Sequence, residues 1–217
     1  MSKNPYQILK VNPNAKLEDI KKAYRDLVKI HHPDKGGDAK EILEINAAWE
    51  ILKKQHKDLN LNTFNKAQFN TRNTYKKETT NFSKSKDVQK WFQNIYLPID
   101  KLLGQIINPL SSKIKELSAD PYDQLLMDSF CLYLEKSKNK ISKVKIIYTS
   151  FASPSIIRDF SLDLYHCLSQ VEDGLNELER YTMGYVDNYL HDGKSMIAEA
   201  KKKRKFLQTN KKEWLIL

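Results

Sequence analysis

Glycine and proline are scarce in this 217-residue chain, at 6 and 7. That scarcity excludes an all-β fold, which needs many tight turns. Cysteine is scarcer still. Cys131 and Cys167 lie far apart inside helical patterns and no C-x-x-C pair occurs. A structural zinc finger is thereby excluded, and the two read as buried free thiols. Long apolar runs are missing as well. The opening "MSKNPYQILKV" has no signal-peptide core. The segment "YLPIDKLLGQIINPL" carries Asp100 and Lys101 in its middle and is too short to cross a bilayer. A soluble, cytoplasmic protein is the expectation, with any membrane contact peripheral. Negative charge is the remaining shortage: 27 Asp and Glu face 37 Lys and Arg, a net charge of +10. Such an excess suits an acidic partner, whether a protein surface, a nucleic acid or an anionic membrane.

What is present is helical periodicity. Asn4-Pro5 reads as an N-cap followed by proline at the first helical position, with Tyr6 and Leu9 apolar and Pro13 as the stop. In "LEDIKKAYRDLVKIH", Leu17, Ile20, Tyr24 and Leu27 recur at three and four, which is an amphipathic stripe. Pro33 ends that helix, Gly36-Gly37 turns the chain, and Asp38 with Glu41 resembles a capping box. Ile42, Ile45, Trp49 and Leu52 then repeat the stripe, so the two helices should pair antiparallel.

From Lys57 to Lys86 the chain is rich in Asn, Thr and Lys, without a sustained period, and reads as a polar linker. Beyond it the pattern is helical again. One or two helices are interrupted at Pro98 and Pro109. Asp120-Pro121 opens a long helix with Leu126, Phe130, Tyr133, Ser137, Ile141, Val144 and Tyr148 on its seam. Ser153-Pro154 opens another, with Phe160, Leu164, Leu168, Val171, Leu175 and Leu178 inward and a stop at Asp192-Gly193. A last basic helix from about Ser195 carries "KKKRKF". The expected architecture is all-α: an N-terminal domain over 1–56, a linker over 57–86 and a C-terminal helical bundle over 87–217.

The chemistry concentrates in "KIHHPDKGGD", Lys29 to Asp38. Opposite the first apolar stripe stand Lys21, Lys22, Arg25 and Lys29. Lys21, Arg25 and Lys29 are spaced four apart, where like charges repel by roughly 0.2–0.5 kcal/mol per pair. Taken alone, that run reads as a solvated face. The loop it leads into admits three readings on residue types: a metal site at His31, His32 and Asp34, proton transfer by His32 and Asp34, or a plain turn. Proline constrains the convergence a metal needs, and no second cluster supplies more ligands. Nothing near the pair suggests a substrate pocket.

The runs "NPYQILKV", "IKKAYRDLVKIHHPDKGG" and "ILEINAAWEIL", in that order, resemble the J domain of DnaJ-type co-chaperones. The matching positions are Tyr6, Ala23-Tyr24-Arg25, His32-Pro33-Asp34 and Ala48-Trp49-Glu50-Ile51-Leu52, and the resemblance covers roughly residues 4 to 55. Lys16 departs from the pattern, which usually has Ser or Asp as cap there. That leaves Asn14 to cap or the first turn to fray, at a cost of about 1 kcal/mol.

The resemblance implies a protein that is no enzyme and needs no cofactor or metal. It docks on a DnaK-type heat-shock chaperone and stimulates that partner's ATP hydrolysis through His32, Pro33 and Asp34. Lys21, Lys22, Arg25, Lys29 and Lys35 supply the docking charge. The implied core is Tyr6, Leu9, Ile20, Ala23, Tyr24, Leu27, Ile45, Ala48, Trp49 and Leu52.

Neither a Gly/Phe-rich segment nor a cysteine-rich zinc domain follows. The chain is therefore similar to the divergent class, and as a whole to short cyanobacterial J-domain proteins, on "LSADPYDQLLMDSFCLYLE" as well. In that class the second domain selects a client or a location. The run Lys201, Lys202, Lys203, Arg204 and Lys205 reads as the exposed face of a terminal helix, with a weak anionic-membrane contact as the minority reading and nucleic acid not expected as a partner. The alternative function is a scaffold or membrane-surface adaptor in which the J domain is secondary.

Overall fold

The computed structural model describes residues 4–32, 36–64 and 81–215, and every regular element among them is helical. The chain divides into two compact units, Met1–Lys76 and Lys77–Leu217.

In the first unit, α1 (Pro5–Ile8) starts where Asn4 accepts the Tyr6 N–H at 3.1 Å, with Pro5 filling a position that needs no donor. It stops well before Pro13. Lys10 takes the left-handed conformation (φ 54°), and Val11 and Lys10 donate back to the Tyr6 and Gln7 carbonyls at 2.9 and 3.2 Å. That Schellman closure, not the proline, ends the helix.

Helix α2 (Leu17–Ile30) begins at Lys16 with no side-chain cap. Helix α3 (Ala39–Phe64) begins after Asp38, whose carboxylate accepts the Lys40 N–H at 2.9 Å. It continues past Lys57, where composition marks a linker. No Gly or Pro occurs between Gly37 and Phe64, so no helix breaker stands within that stretch.

Leu9, Ile20, Tyr24, Leu27, Val28, Ile45, Ala48, Trp49 and Leu52 are buried together, while Tyr6 and Ala23 are half-buried. Tyr24 stacks on Trp49 at 5.3 Å and donates its hydroxyl to Asn46 Oδ1 at 2.7 Å. A stacked aromatic pair contributes about 0.5–1.5 kcal/mol beyond area burial. Burial, with the Glu50 charge, pushes the Tyr24 phenol up to about 12.

The second unit is a bundle of α4 (Asn81–Trp91), α5 (Leu97–Leu117), α6 (Gln124–Ser150), α7 (Arg158–Gly184) and α8 (Asp187–Leu215). Neither Pro98 nor Pro109 interrupts it. One wide π-turn, Phe92–Tyr96, joins α4 to α5, and within it Leu97 N–H reaches back to the Phe92 carbonyl. That widened turn takes up the distortion that Pro98, in the next turn, would otherwise force on the ladder. Pro109 lies inside α5 on the exposed side, as does Gln105, whose carbonyl loses its donor and can turn to water.

Helix α6 starts at Asp123, not Asp120. Asp120 and Pro121 form a turn closed by Asp123 N–H to the Asp120 carbonyl at 3.1 Å, and Asp123 then caps the Leu126 N–H at 2.9 Å. Its buried seam includes Met127 and Leu134, with Leu126, Tyr133 and Tyr148 half-buried. A 3₁₀ turn, Ser155–Ile157, precedes α7, and the six residues expected to point inward from α7 are all buried. Lys138–Glu179 and Lys145–Glu172 (2.6 Å) pair α6 with α7 in antiparallel register.

Helix α7 ends at Tyr185 (φ 55°), eight residues before Gly193. Gly193 instead lies inside α8, where the helix presses on α7. A Cβ there would meet Leu178 Cγ at 2.7 Å and the Gly174 carbonyl oxygen at 2.8 Å. A Cβ on Gly174 would meet Ile197 Cγ1 at 2.6 Å. Neither cysteine is in a disulfide: Cys167 is buried and donates to the Ala200 carbonyl at 3.3 Å, while Cys131 is half-buried. Burial pushes the Cys167 thiol up to about 11.

Because Gly193 makes a backbone-to-backbone approach, Gly193→Val is expected to destabilise the chain by about 1–3 kcal/mol through overpacking. Gly184→Ala, whose nearest neighbour is Val186 Cγ2 at 3.7 Å, is expected to be neutral or better. Denaturant unfolding followed by circular dichroism checks both, and equal midpoints would refute the close-packing assignment.

Candidate functional site

The site grows out of the C-terminal end of α2. His31 is its C-cap, donating its N–H to the Leu27 carbonyl at 3.0 Å, and its Nδ1 lies 2.5 Å from Glu41 Oε2 in the first turn of α3. The sequence pattern has Glu41 reaching back to its own helix cap; its carboxylate instead crosses to α2. His32 follows, half-buried, and its carbonyl accepts the Gly37 N–H at 3.1 Å. Gly36 takes a left-handed φ of 78°, which suits glycine.

Gly37 packs on the backbone of His31: a Cβ there would lie 2.1 Å from its carbonyl oxygen. The end of α2 and the start of α3 are thus brought together by one contact that only glycine permits, Gly37 on His31. Pro33, Asp34 and Lys35, which the resemblance assigns to the stimulating loop and the docking charge, lie outside the described residues. Among the described residues no three His, Cys, Asp or Glu side chains converge on a common point.

The basic face is smaller than the spacing implies. Lys22 is exposed, Lys21 and Lys29 are half-buried, and Arg25 is only 8% exposed. Val28 joins the apolar stripe and widens it towards Arg25. The Arg25 stem is covered along with it, as long basic side chains allow. A groove of about 310 Å³ lies beside the loop, with His31, Glu41, Glu44, Lys10 and Gln7 among its polar lining and Leu27 and Ile45 at its base.

In the second unit, Arg204 departs from the expectation of an exposed basic run. Its Nε and Nη2 donate to the Asp100 carboxylate at 2.8 and 3.1 Å, and Gln208 Nε2 donates to both oxygens at 3.0 Å. Gly104 leaves the room, since a Cβ there would sit 2.8 Å from Arg204 Nη2. Lys201, Lys202, Lys203 and Lys205 remain exposed. A signal for Arg204 existed in the spacing: it lies four residues after Ala200 and three before Leu207, both buried. Neither the His31–Glu41 contact nor the Gly37 approach has a comparable signal, because each depends on how α2 and α3 meet.

Residues 4–60 match the DnaJ domain family, and residues 83–215 match the family described as "Cyanobacterial DnaJ chaperone, C-terminal domain". A DnaJ protein homolog of Allium porrum is 51% identical over 47 residues, covering 22% of this chain and 11% of that protein. The chaperone protein DnaJ of Finegoldia magna is 52% identical over 54 residues, 23% of this chain and 14% of the relative. That of Rickettsia bellii is 48% identical over 62 residues, 26% and 16%. The chain therefore spans well under a fifth of these curated relatives. No solved structure gives a significant match.

Gly37→Ala is expected to displace the His31 and His32 backbone, because its Cβ would collide with main chain that cannot rotate away. Amide chemical shifts of His31, His32 and Asp38 report this; shifts unchanged from wild type would refute it.

Proposed function

Since the chain belongs to the family of cyanobacterial DnaJ chaperones, we propose that it is a co-chaperone that docks on a DnaK-type ATPase and stimulates its ATP hydrolysis through His32, Pro33 and Asp34. The observation that carries this reading is the closure of the loop, with Gly37 seated on His31 and bonded to the His32 carbonyl. A free linker turn has no use for such a constraint; a loop that must meet a partner in one orientation does. His32 can donate or accept and Asp34 can accept, so the pair suits hydrogen bonds to another protein's groups.

Docking charge on α2 comes chiefly from Lys22, flanked by Lys21 and Lys29, and acts on orientation and association rate more than on affinity. Residues up to Phe64 carry the stimulating function, and those from Asn81 onward select a client or a location. The protein itself performs no chemistry in this scheme.

A second element of the reading concerns location. With Arg204 tied to Asp100, the outward face of α8 keeps Lys201, Lys202 and Lys205 exposed beside Phe206, itself 56% exposed. Lysines around an exposed aromatic suit an anionic bilayer surface, which needs no matching shape. No helix among the described residues is long and apolar enough to cross a membrane, so this contact is peripheral.

In single-turnover ATPase assays with a DnaK-type chaperone, wild type is expected to stimulate and His32→Gln to abolish stimulation without change in helical content. Equal stimulation by the variant would sink the mechanism. Lys22→Glu is expected to weaken docking most at low salt, within the reach of a screening length of about 10 Å at 0.1 M; Arg25 is unsuited to the test, being buried.

For the membrane contact, sedimentation with phosphatidylglycerol-containing vesicles is expected to carry the protein down. Phosphatidylcholine vesicles should not, and the triple reversal Lys201, Lys202 and Lys205 to Glu should lose binding. Retained binding by that variant would refute the face assigned.

A further inference from the structure

The contact between His31 and Glu41 is not needed to terminate α2 or to start α3. Helix α2 is already closed by the His31 N–H on the Leu27 carbonyl, and α3 is already capped by Asp38 on the Lys40 N–H. Nor does the pair support the core. The Glu41 side chain is 56% exposed, that of His31 is 26% exposed, and both line an open groove above the buried Leu27 and Ile45. What the contact does is geometric. It ties the last residue before His32 to the helix on the far side of the loop, while Gly37 holds the same residue by its backbone. His31 is therefore held through its ring and its carbonyl at once, and the direction in which the chain leaves α2 is set.

We propose that His31 and Glu41 are positioning residues: their side-chain contact sets the direction in which the chain leaves α2 at His32, so that a docked partner meets His32 in the stimulating orientation. The inference rests on the co-chaperone reading above. Neither residue lies on the exposed part of the basic face, so the pair acts on what happens after docking and leaves the encounter unchanged. In the groove, Lys10 and Glu44 are the other charged groups beside the pair, and neither replaces the link between α2 and α3.

The experiment titrates the full chain into single-turnover ATPase reactions and separates the maximal stimulated rate from the half-saturating concentration. Glu41→Ala and His31→Leu are expected to lower the maximal rate about three- to tenfold, the scale of one charge-assisted hydrogen bond, with half-saturation within about twofold of wild type. Glu41→Gln keeps an acceptor and His31→Asn keeps a donor near the Nδ1 position, so each is expected to restore most of the rate. The double variant Glu41→Ala/His31→Leu is expected to be no worse than either single one. Independently of any ATPase, the wild-type protein should show a downfield imidazole N–H resonance for His31 that Glu41→Ala removes, with the thermal midpoint little changed.

An unchanged maximal rate in Glu41→Ala, losses that multiply in the double variant, or no such resonance in wild type would each overturn the positioning role. If wild type shows the resonance but stimulates no DnaK-type ATPase, the co-chaperone reading fails and the positioning role falls with it, while the contact itself stands.

Discussion

The backbone of Gly37 lies where no side chain can go, against the carbonyl of His31, and the N-terminal unit depends on that approach. It lets α3 begin close to the end of α2, so that the two apolar stripes meet and Tyr24 reaches both Trp49 and Asn46. Widening the loop by one side chain would push the first turn of α3 outward and take Glu41 away from His31. The same contact that completes the hairpin thus constrains the segment carrying His32. Stability and presentation are coupled here because they use the same few ångströms of backbone.

The C-terminal unit has close approaches of its own. Gly174 and Gly193 bring α7 and α8 together until their backbones nearly touch, and the Cys167 thiol donates across the same seam. On another side of α8, Gly104 makes space for the Arg204 guanidinium on Asp100. A half-buried ion pair of this kind contributes little net stability once desolvation is counted, but removing one partner leaves the other exposed to the full penalty. Its effect is on register. It decides which side of α8 turns inward, and hence which lysines are left for the surface. The aromatic cluster of Trp91, Phe92, Tyr96 and Phe160 does the equivalent work at the π-turn, where ring centroids lie 5.0–6.3 Å apart.

Much of this is legible in the sequence. Period-three-and-four stripes identified α2, the first half of α3 and the inward face of α7, because burial follows directly from helical geometry when a stripe is unbroken. Helix ends are less legible in the sequence. Pro13, Pro109 and Gly193 each looked like a stop and none acts as one, since a left-handed residue, an exposed carbonyl or a neighbouring helix settled the matter locally. The sequence points to Asp120 as the cap that Asp123 supplies, because both carboxylates stand in a sequence able to start the helix and only the intervening turn distinguishes them.

The sequence by itself determined the helical class, the order of the elements and the motif between Lys29 and Asp38, because these follow from periodicity and from residue types at fixed spacing. Only the tertiary structure decided which charges face outward. Arg25 and Arg204 each belong to a row of cations, and each is drawn inward by what packs beside it: a stripe widened by Val28 in one case, Asp100 some hundred residues away in the other. The partner of His31 was likewise settled in space. A side chain's environment depends on contacts between elements distant in sequence, and no local pattern encodes them.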